Sequence, residues 1–216
     1  MDRAAVVRIN GLREYSPWEP WTTKRDNTWH WYNAQADFAV SRLNGSGKCL
    51  VIGSPLFEAL ELSKSWDVTY MDIRKPPEDM VNYIEGDATD IGLPPESFDA
   101  VSSTCVLCHA GLGRYGDPMV SNGDEKMLAG IARVLKKSGN AALTFGCCSA
   151  NLESVIRIGV FARIYTPKEA RRMVKDAGFS ILEEAYWDTV NNVWLTALQP
   201  SMQIDQFYLS MLLTKD

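Results

Sequence analysis

Cys49–Leu60 reads CLVIGSPLFEAL, and its first four residues are continuously apolar up to Gly53. A short apolar run that stops at a glycine marks a strand buried on both faces. Pro55 suits the first turn of a helix, and Leu56, Ala59, Leu60 and Ser63 then fall on one side of a helix reaching Lys64. A strand that turns through a glycine into a helix is the opening of a βαβ unit. Whether the fold is a parallel sheet therefore depends on whether the same alternation continues.

It does. Asp67–Asp72 (DVTYMD) and Val81–Glu85 (VNYIE) read as the next two strands, and both end beside carboxylates, at Asp72 and at Gly86-Asp87. Phe98–Cys105 (FDAVSSTC) is a fourth strand, Asp124–Lys136 an amphipathic helix and Gly139–Phe145 a fifth strand. Thr166-Pro167-Lys168-Glu169 combines a cap, a first-turn proline and an early acid, which predicts a helix to Asp176 that stops before Gly178. Ser180–Tyr186, Val193–Leu198 and Phe207–Thr214 are later strands, the last two suited to an antiparallel hairpin at one edge. The pattern predicts an α/β, doubly wound, mainly parallel sheet covered on both faces.

Ahead of this block, residues 1–27 lack clear periodicity and read as an irregular N-terminal arm, with 28–216 a single domain. Residues 28–43 (TWHWYNAQADFAVSRL) place Trp31, Ala34 and Phe38 on one helical face, as a lid or entry helix would, with Asn44-Gly45 as its stop.

The 216 residues are 46% hydrophobic and 23% charged, which suits one globular domain. A net charge of -5 disfavours bulk nucleic acid as a partner, and Lys136-Lys137 and Arg171-Arg172 read as solvated helix faces. No window approaches a membrane span, and the first residues lack the apolar core of a signal peptide, so a cytoplasmic protein is expected. Five cysteines without an export signal are expected to be reduced thiols. The composition is silent on oligomeric state.

Ligands of parallel sheets bind at the carboxyl ends of the strands. Four such ends carry chemistry here: Gly53, Asp72, Asp87 and the segment from Ser103 to His109. The Gly53-Ser54 turn lets a backbone approach a ligand closely. Asp72, nineteen residues after Gly53, is spaced as the acid that accepts hydrogen bonds from a ribose, and Asp87 with Ala88 is placed to contact an adenine edge.

Thr104–Pro118 (TCVLCHAGLGRYGDP) has competing readings. C-x-x-C-H is the spelling of a haem attachment site, and Cys105, Cys108 and His109 with Cys147 and Cys148 have the atoms of a zinc site. Haem attachment normally requires export, and Cys147-Cys148 would point to opposite faces if extended. The preferred reading is a strand end followed by an active-site loop, with no metal. His109 then suits a general base, or else pins the loop. Arg114 and Tyr115 are candidate acceptor ligands and Asp117 a loop ion pair, while His30 with its aromatic neighbours covers the site or simply packs.

Four stretches, VIGSPLFEAL, VTYMDIRK, YIEGDATDIGLPPESFDAVSS and GDEKMLAGIARVLKKSGNAALTF, follow one another as in the class I methyltransferases that use S-adenosylmethionine, and the chain resembles that family best over residues 28–147. The resemblance implies a seven-stranded Rossmann-like sheet with an antiparallel C-terminal edge, S-adenosylmethionine as cofactor and a small-molecule or sugar-like acceptor. It implies Gly53, Ser54, Asp72, Asp87, Ala88 and Ser103 around the cofactor, His109 as the catalytic group, and His30, Arg114 and Tyr115 toward the acceptor. The first loop departs from the family's acidic-x-Gly-x-Gly-x-Gly: Val51 holds the acidic place, and Pro55 and Phe57 replace the later glycines. GLGRYGDP at Gly111–Pro118 is similar to a segment of a divergent branch that shares this glycine-poor loop. The alternative from another class is a non-catalytic nucleotide- or partner-binding module on the same fold. A nicotinamide oxidoreductase is disfavoured, since one glycine does not make a G-x-G-x-x-G turn.

Overall fold

The computed structural model describes residues 4–6, 30–76, 81–147, 155–158, 162–197 and 207–216. The strands are β1 (Ala4–Val6), β2 (Lys48–Ile52), β3 (Asp67–Asp72), β4 (Asn82–Glu85), β5 (Phe98–Ser103), β6 (Leu135–Cys147), β7 (Val155–Ile158), β8 (Ala162–Ile164), β9 (Phe179–Asp188), β10 (Val193–Leu195) and β11 (Phe207–Lys215). The helices are α1 (His30–Arg42), α2 (Leu56–Leu62), α3 (Gly123–Val134) and α4 (Pro167–Asp176). No helix among the described residues is long and apolar enough to cross a membrane.

The main sheet has the order β10-β9-β11-β6-β5-β2-β3-β4. β6, β5, β2, β3 and β4 are parallel, and β11, β9 and β10 add antiparallel pairings. The chain leaves β2 toward β3 and β4 and then returns to lay β5 on the other side of β2. The crevice of the sheet therefore opens between the ends of β2 and β5.

Alternation along the strands divides the core in two. Leu50 and Ile52 join Met71, Val101, Ala141 and Leu143 under Leu128, Ile131 and Val174 of α3 and α4. Cys49 and Val51 join Val68, Tyr70, Ala100 and Ala142 under Ala39, Leu56, Ala59 and Leu62 of α1 and α2. This is the two-faced burial read from CLVI. The helix face read as Leu56, Ala59, Leu60 and Ser63 is rotated: Leu60 is only half-buried and Ser63 exposed, while Phe57, Glu58 and Leu62 are buried. α2 is covered by α1 as well as by the sheet, so more than one of its faces is closed to water.

Three other expectations are corrected. Among the described residues the sheet has eight strands, and Val193–Leu195 pairs with β9 rather than with the last strand. β11 is interior: Phe207, Leu209, Met211 and Leu213 are buried, and its two edges bond β6 and β9. A nine-residue apolar strand can occupy a place with two neighbours, whereas the three-residue β10, with Val193 and Trp194 partly exposed, suits the edge. β6 begins directly at Leu135, so Lys136 lies on a strand, paired with Asp99 at 2.7 Å, rather than on a helix face. Within the arm, Ala4–Val6 forms a strand that pairs with β7 in a second sheet of order β1-β7-β8.

The Thr166 cap forms as read: its hydroxyl accepts the Glu169 N–H at 3.1 Å, with Pro167 at the first helical position. Gly123 starts α3 against the site loop. A Cβ there would lie 2.4 Å from the Ala110 carbonyl oxygen and 2.9 Å from Gly111 Cα. Gly123→Ala should therefore push α3 off the loop and lower stability by about 1–3 kcal/mol, as read from denaturant unfolding.

Candidate active site

Gly53 adopts φ +56° and donates its N–H to the Met71 carbonyl at 2.8 Å, which bends the chain between β2 and α2. A side chain there would be strained and would meet Val106 at 3.0 Å. The Asp72 carboxylate faces the same point, 3.8 Å from where that Cβ would stand. From this corner a cleft runs along the strand ends, with about 630 Å³ of space counting its open mouth. Gly53, Asp72, Arg74, Asp87 and Ala88 line one side, and Tyr32, Cys105, His109 and Tyr115 the other.

Of the residues singled out in the sequence, Gly53, Asp72, Asp87, Ala88, His109 and Tyr115 meet in this cleft. Ser54, Ser103 and Arg114 do not line it. Ser54 is buried; its hydroxyl accepts the Thr104 N–H at 2.8 Å, and its carbonyl accepts the Tyr70 hydroxyl at 2.7 Å. Ser103 donates to the Ile52 carbonyl at 3.2 Å. Both serines tie β2 to β5 beneath the cleft, because small hydroxyls at buried strand ends find backbone partners first. Arg114 stands behind the lining, 3.2 Å from His109 Nδ1 and with its guanidinium 4.9 Å from the centre of the Tyr115 ring. His30 begins α1, and its side chain lies outside the described residues.

The Asp72 carboxylate accepts the Arg74 N–H at 2.9 Å and lies 3.4 Å from Arg74 Nε. Burial raises its pKa, and Arg74 offsets part of the rise. The Arg74 guanidinium also lies 4.8 Å from the Tyr115 ring centre, joining the two walls of the cleft. Asp87 accepts the Thr89 N–H at 2.8 Å, which holds its backbone in a tight turn at the rim.

The loop with His109 and Tyr115 is held from within and from below. Asp117, read as an ion-pair residue, accepts the N–H groups of Gly113 at 3.0 Å and Tyr115 at 3.1 Å. Arg163, buried on β8, donates to the carbonyls of Ala110 (2.6 Å), Val120 (3.3 Å) and Ser121 (3.2 Å) and lies 3.7 Å from the buried Asp124. One guanidinium thus grips both ends of the loop. Arg163→Met should cost about 3–5 kcal/mol in thermal or denaturant unfolding, since it leaves Asp124 buried without its cation. The same variant should speed amide exchange over residues 109–121.

Cys49, Cys105, Cys108 and Cys147 are buried free thiols, and Cys148 lies outside the described residues. Burial raises the Cys105 thiol well above its ordinary pKa and Cys108 to about 12, which keeps both protonated at neutral pH. Among the described residues no group of three or more His, Cys, Asp or Glu side chains could hold a metal ion. Cys105 nevertheless belongs to the site: it takes φ +60° just after β5 and donates to Gln35 Oε1 of α1.

Tyr32, one of the aromatic neighbours of His30 in the sequence reading, lines the cleft, whereas that reading missed Arg74 and Glu58. Arg74 was signalled by its place two residues after Asp72. Glu58, on the first turn of α2, is fully buried, and its Oε1 accepts the Ser102 hydroxyl at 2.6 Å. Burial raises its pKa to about 7, against the pull of the Ser102, Thr104 and Ser54 hydroxyls. Its only signal in sequence is a carboxylate inside an apolar helical run.

Residues 57–143 match the family model of the methyltransferase domain. Over that stretch the chain is similar to methyltransferase domains. Its fold is shared with the [4+2]-cyclase SpnF (TM-score 0.63, 16% identity, covering 85% of this chain and 80% of that one). It is also shared with the Burkholderia thailandensis 1,6-didemethyltoxoflavin-N1-methyltransferase, a structure with bound S-adenosylhomocysteine (TM-score 0.62, 16% identity, 88% and 82% covered). The geranyl diphosphate C-methyltransferase of Streptomyces coelicolor A3(2) is similar at TM-score 0.62, 12% identity, 85% and 77% covered. No curated protein matches this chain by sequence.

Proposed function

We propose that the protein transfers a methyl group from S-adenosylmethionine to a small-molecule or sugar-like acceptor. The observation that carries this reading is the cleft at the β2/β5 switch point: an open backbone corner at Gly53, two carboxylates at Asp72 and Asp87, and an imidazole across from them. These residues fit the cofactor. Asp72 is buried and acceptor-only when ionised, suited to ribose hydroxyls; Asp87 and Ala88 suit the adenine edge; and no side chain at Gly53 fills the corner where the aminoacyl end would approach the backbone.

When bound, the cofactor supplies an electrophilic methyl on sulfur. What the chain does is align and deprotonate. Tyr115 and His109, packed edge to face with centroids 5.9 Å apart, form the wall an acceptor would meet. For a hydroxyl acceptor, an imidazole nitrogen of His109 would take the acceptor's proton and pass it to water. Arg114 Nη1 lies 3.2 Å from Nδ1 and 3.3 Å from Nε2, against the ring as a whole rather than along one lone pair, and holds it beside the cleft. The modest size of the cleft and the acidic chain favour a small acceptor over bulk nucleic acid. The buried free thiols suit a reducing, cytoplasmic setting.

A second reading, a partner-binding module without catalysis, draws on Arg74, which already occupies Asp72 Oδ1. Calorimetry with S-adenosylhomocysteine separates the two, since micromolar binding is expected of the enzyme and none of the module. Asp72→Ala should weaken that binding by at least about 1 kcal/mol through loss of charge-assisted hydrogen bonds. His109→Ala should leave it nearly unchanged while slowing methyl transfer, and wild-type turnover in that variant would remove His109 as the base.

A further inference from the structure

The chemistry above makes no use of Glu58, although the residue lies directly beneath the cofactor loop. It is fully buried, Oε1 accepts from Ser102, and Oε2 has no hydrogen-bond partner among the described residues. The groups around it come from every packed element. Cys49 of β2 and Tyr70 of β3 feel its charge, as does Cys105 beyond β5. Ser102 and Thr104 come from β5 and its end, and Ser54 from the loop. α1 contributes Gln35 and Tyr32 around Cys105.

Such a carboxylate lowers stability. An ordinary Glu titrates near 4.5 and this one near 7, so the folded protein holds the proton more tightly than the unfolded chain. Glu58 therefore favours folding most below pH 4.5, and that contribution is lost as pH rises toward 7. Above pH 7 the native state carries an ionised, incompletely bonded carboxylate, where a neutral side chain would be better tolerated. A group kept at such an expense next to a site points to function.

The neighbouring loop explains what it does. Gly53-Ser54-Pro55 contains a single glycine, so its course is set by contacts from below: Ser54 Oγ to Thr104 N–H, Ser54 carbonyl to Tyr70, and Ser103 to the Ile52 carbonyl. We propose that Glu58 is a positioning residue for the cofactor loop: its carboxylate holds the Ser102 hydroxyl on β5, next to Ser103 and Thr104, which tie that strand to Ile52 and Ser54 of the loop, so that cofactor affinity rises when the carboxyl gives up its proton. The inference rests on the reading of the cleft as the S-adenosylmethionine site.

The test pairs thermal unfolding with S-adenosylhomocysteine calorimetry, at pH 6 and pH 8.5, on wild type and Glu58→Gln. The variant is expected to melt higher than wild type at pH 8.5 and yet bind about fivefold more weakly there, the weight of one hydrogen bond. Wild-type affinity should increase from pH 6 to 8.5 by more than that of the variant; titration of His109 and of the ligand's amine is common to both and cancels. A purely structural role would move melting and affinity the same way. Equal affinity of the two proteins at pH 8.5 overturns the proposal alone, whereas absence of binding to wild type at both pH values overturns the cofactor reading and this proposal together. Should Glu58→Gln not fold, Ser102→Ala decides: removing the hydroxyl that favours the carboxylate must move the midpoint of the affinity–pH curve upward, and an unmoved midpoint overturns the proposal.

Discussion

The parallel pairing of β2 with β5 is the constraint on which the cleft depends. Because the chain builds β3 and β4 on one side of β2 before β5 on the other, the loops leaving β2 and β5 diverge above the same gap. Each passes through the left-handed region there, Gly53 at φ +56° and Cys105 at φ +60°. A left-handed cysteine is unfavourable by itself and persists only where its surroundings hold it; here Gln35 and the buried end of β5 do so. Cofactor-side and acceptor-side groups are thus brought together by topology, and hydrogen bonding beneath them keeps the gap from closing.

That hydrogen bonding takes over work that glycines would do in a more permissive loop. Ser54, Ser102, Ser103, Thr104, Tyr70 and Glu58 form a polar layer between the tips of β2, β3 and β5 and helix α2. Across the cleft, Arg163 and Asp117 do the same for the loop with His109, through backbone carbonyls and N–H groups. Arg163 and Asp117 are held by the backbone they organise, and Glu58 by the Ser102 hydroxyl, so two loops of irregular shape become rigid walls. Arg74 links those walls through Asp72 and the ring of Tyr115.

Legibility in the sequence followed the range of the interactions involved. The run CLVI, the acid-ended strands DVTYMD and VNYIE and the Thr166 cap are local patterns, and each became the expected element near the expected boundaries. The C-terminal pairing was misread because a strand's sequence records how apolar it is and not which neighbours it will have; β11 lies between β9 and β6 instead of pairing with β10. Ser54 and Ser103 were assigned to the cofactor from their place at strand ends, yet their side chains turned to backbone partners below. Glu58 and Arg163 were not singled out at all, since a buried carboxylate and a buried guanidinium look in sequence like any charged residue on a helix or strand.

By itself, then, the chain's sequence determined the order of strands and helices, the two-sided burial of the central strands and the carboxylates at their ends, because periodicity and punctuation act over a few residues. Tertiary structure decided which of those ends face one another, that Arg114 stands behind the cleft while Arg74 enters it, and that Glu58 lies buried beneath Gly53. Those outcomes depend on contacts between residues far apart in the chain, such as Ser102 with Glu58 and Arg163 with Ala110, whose burial and hydrogen bonding exist only once the sheet has closed.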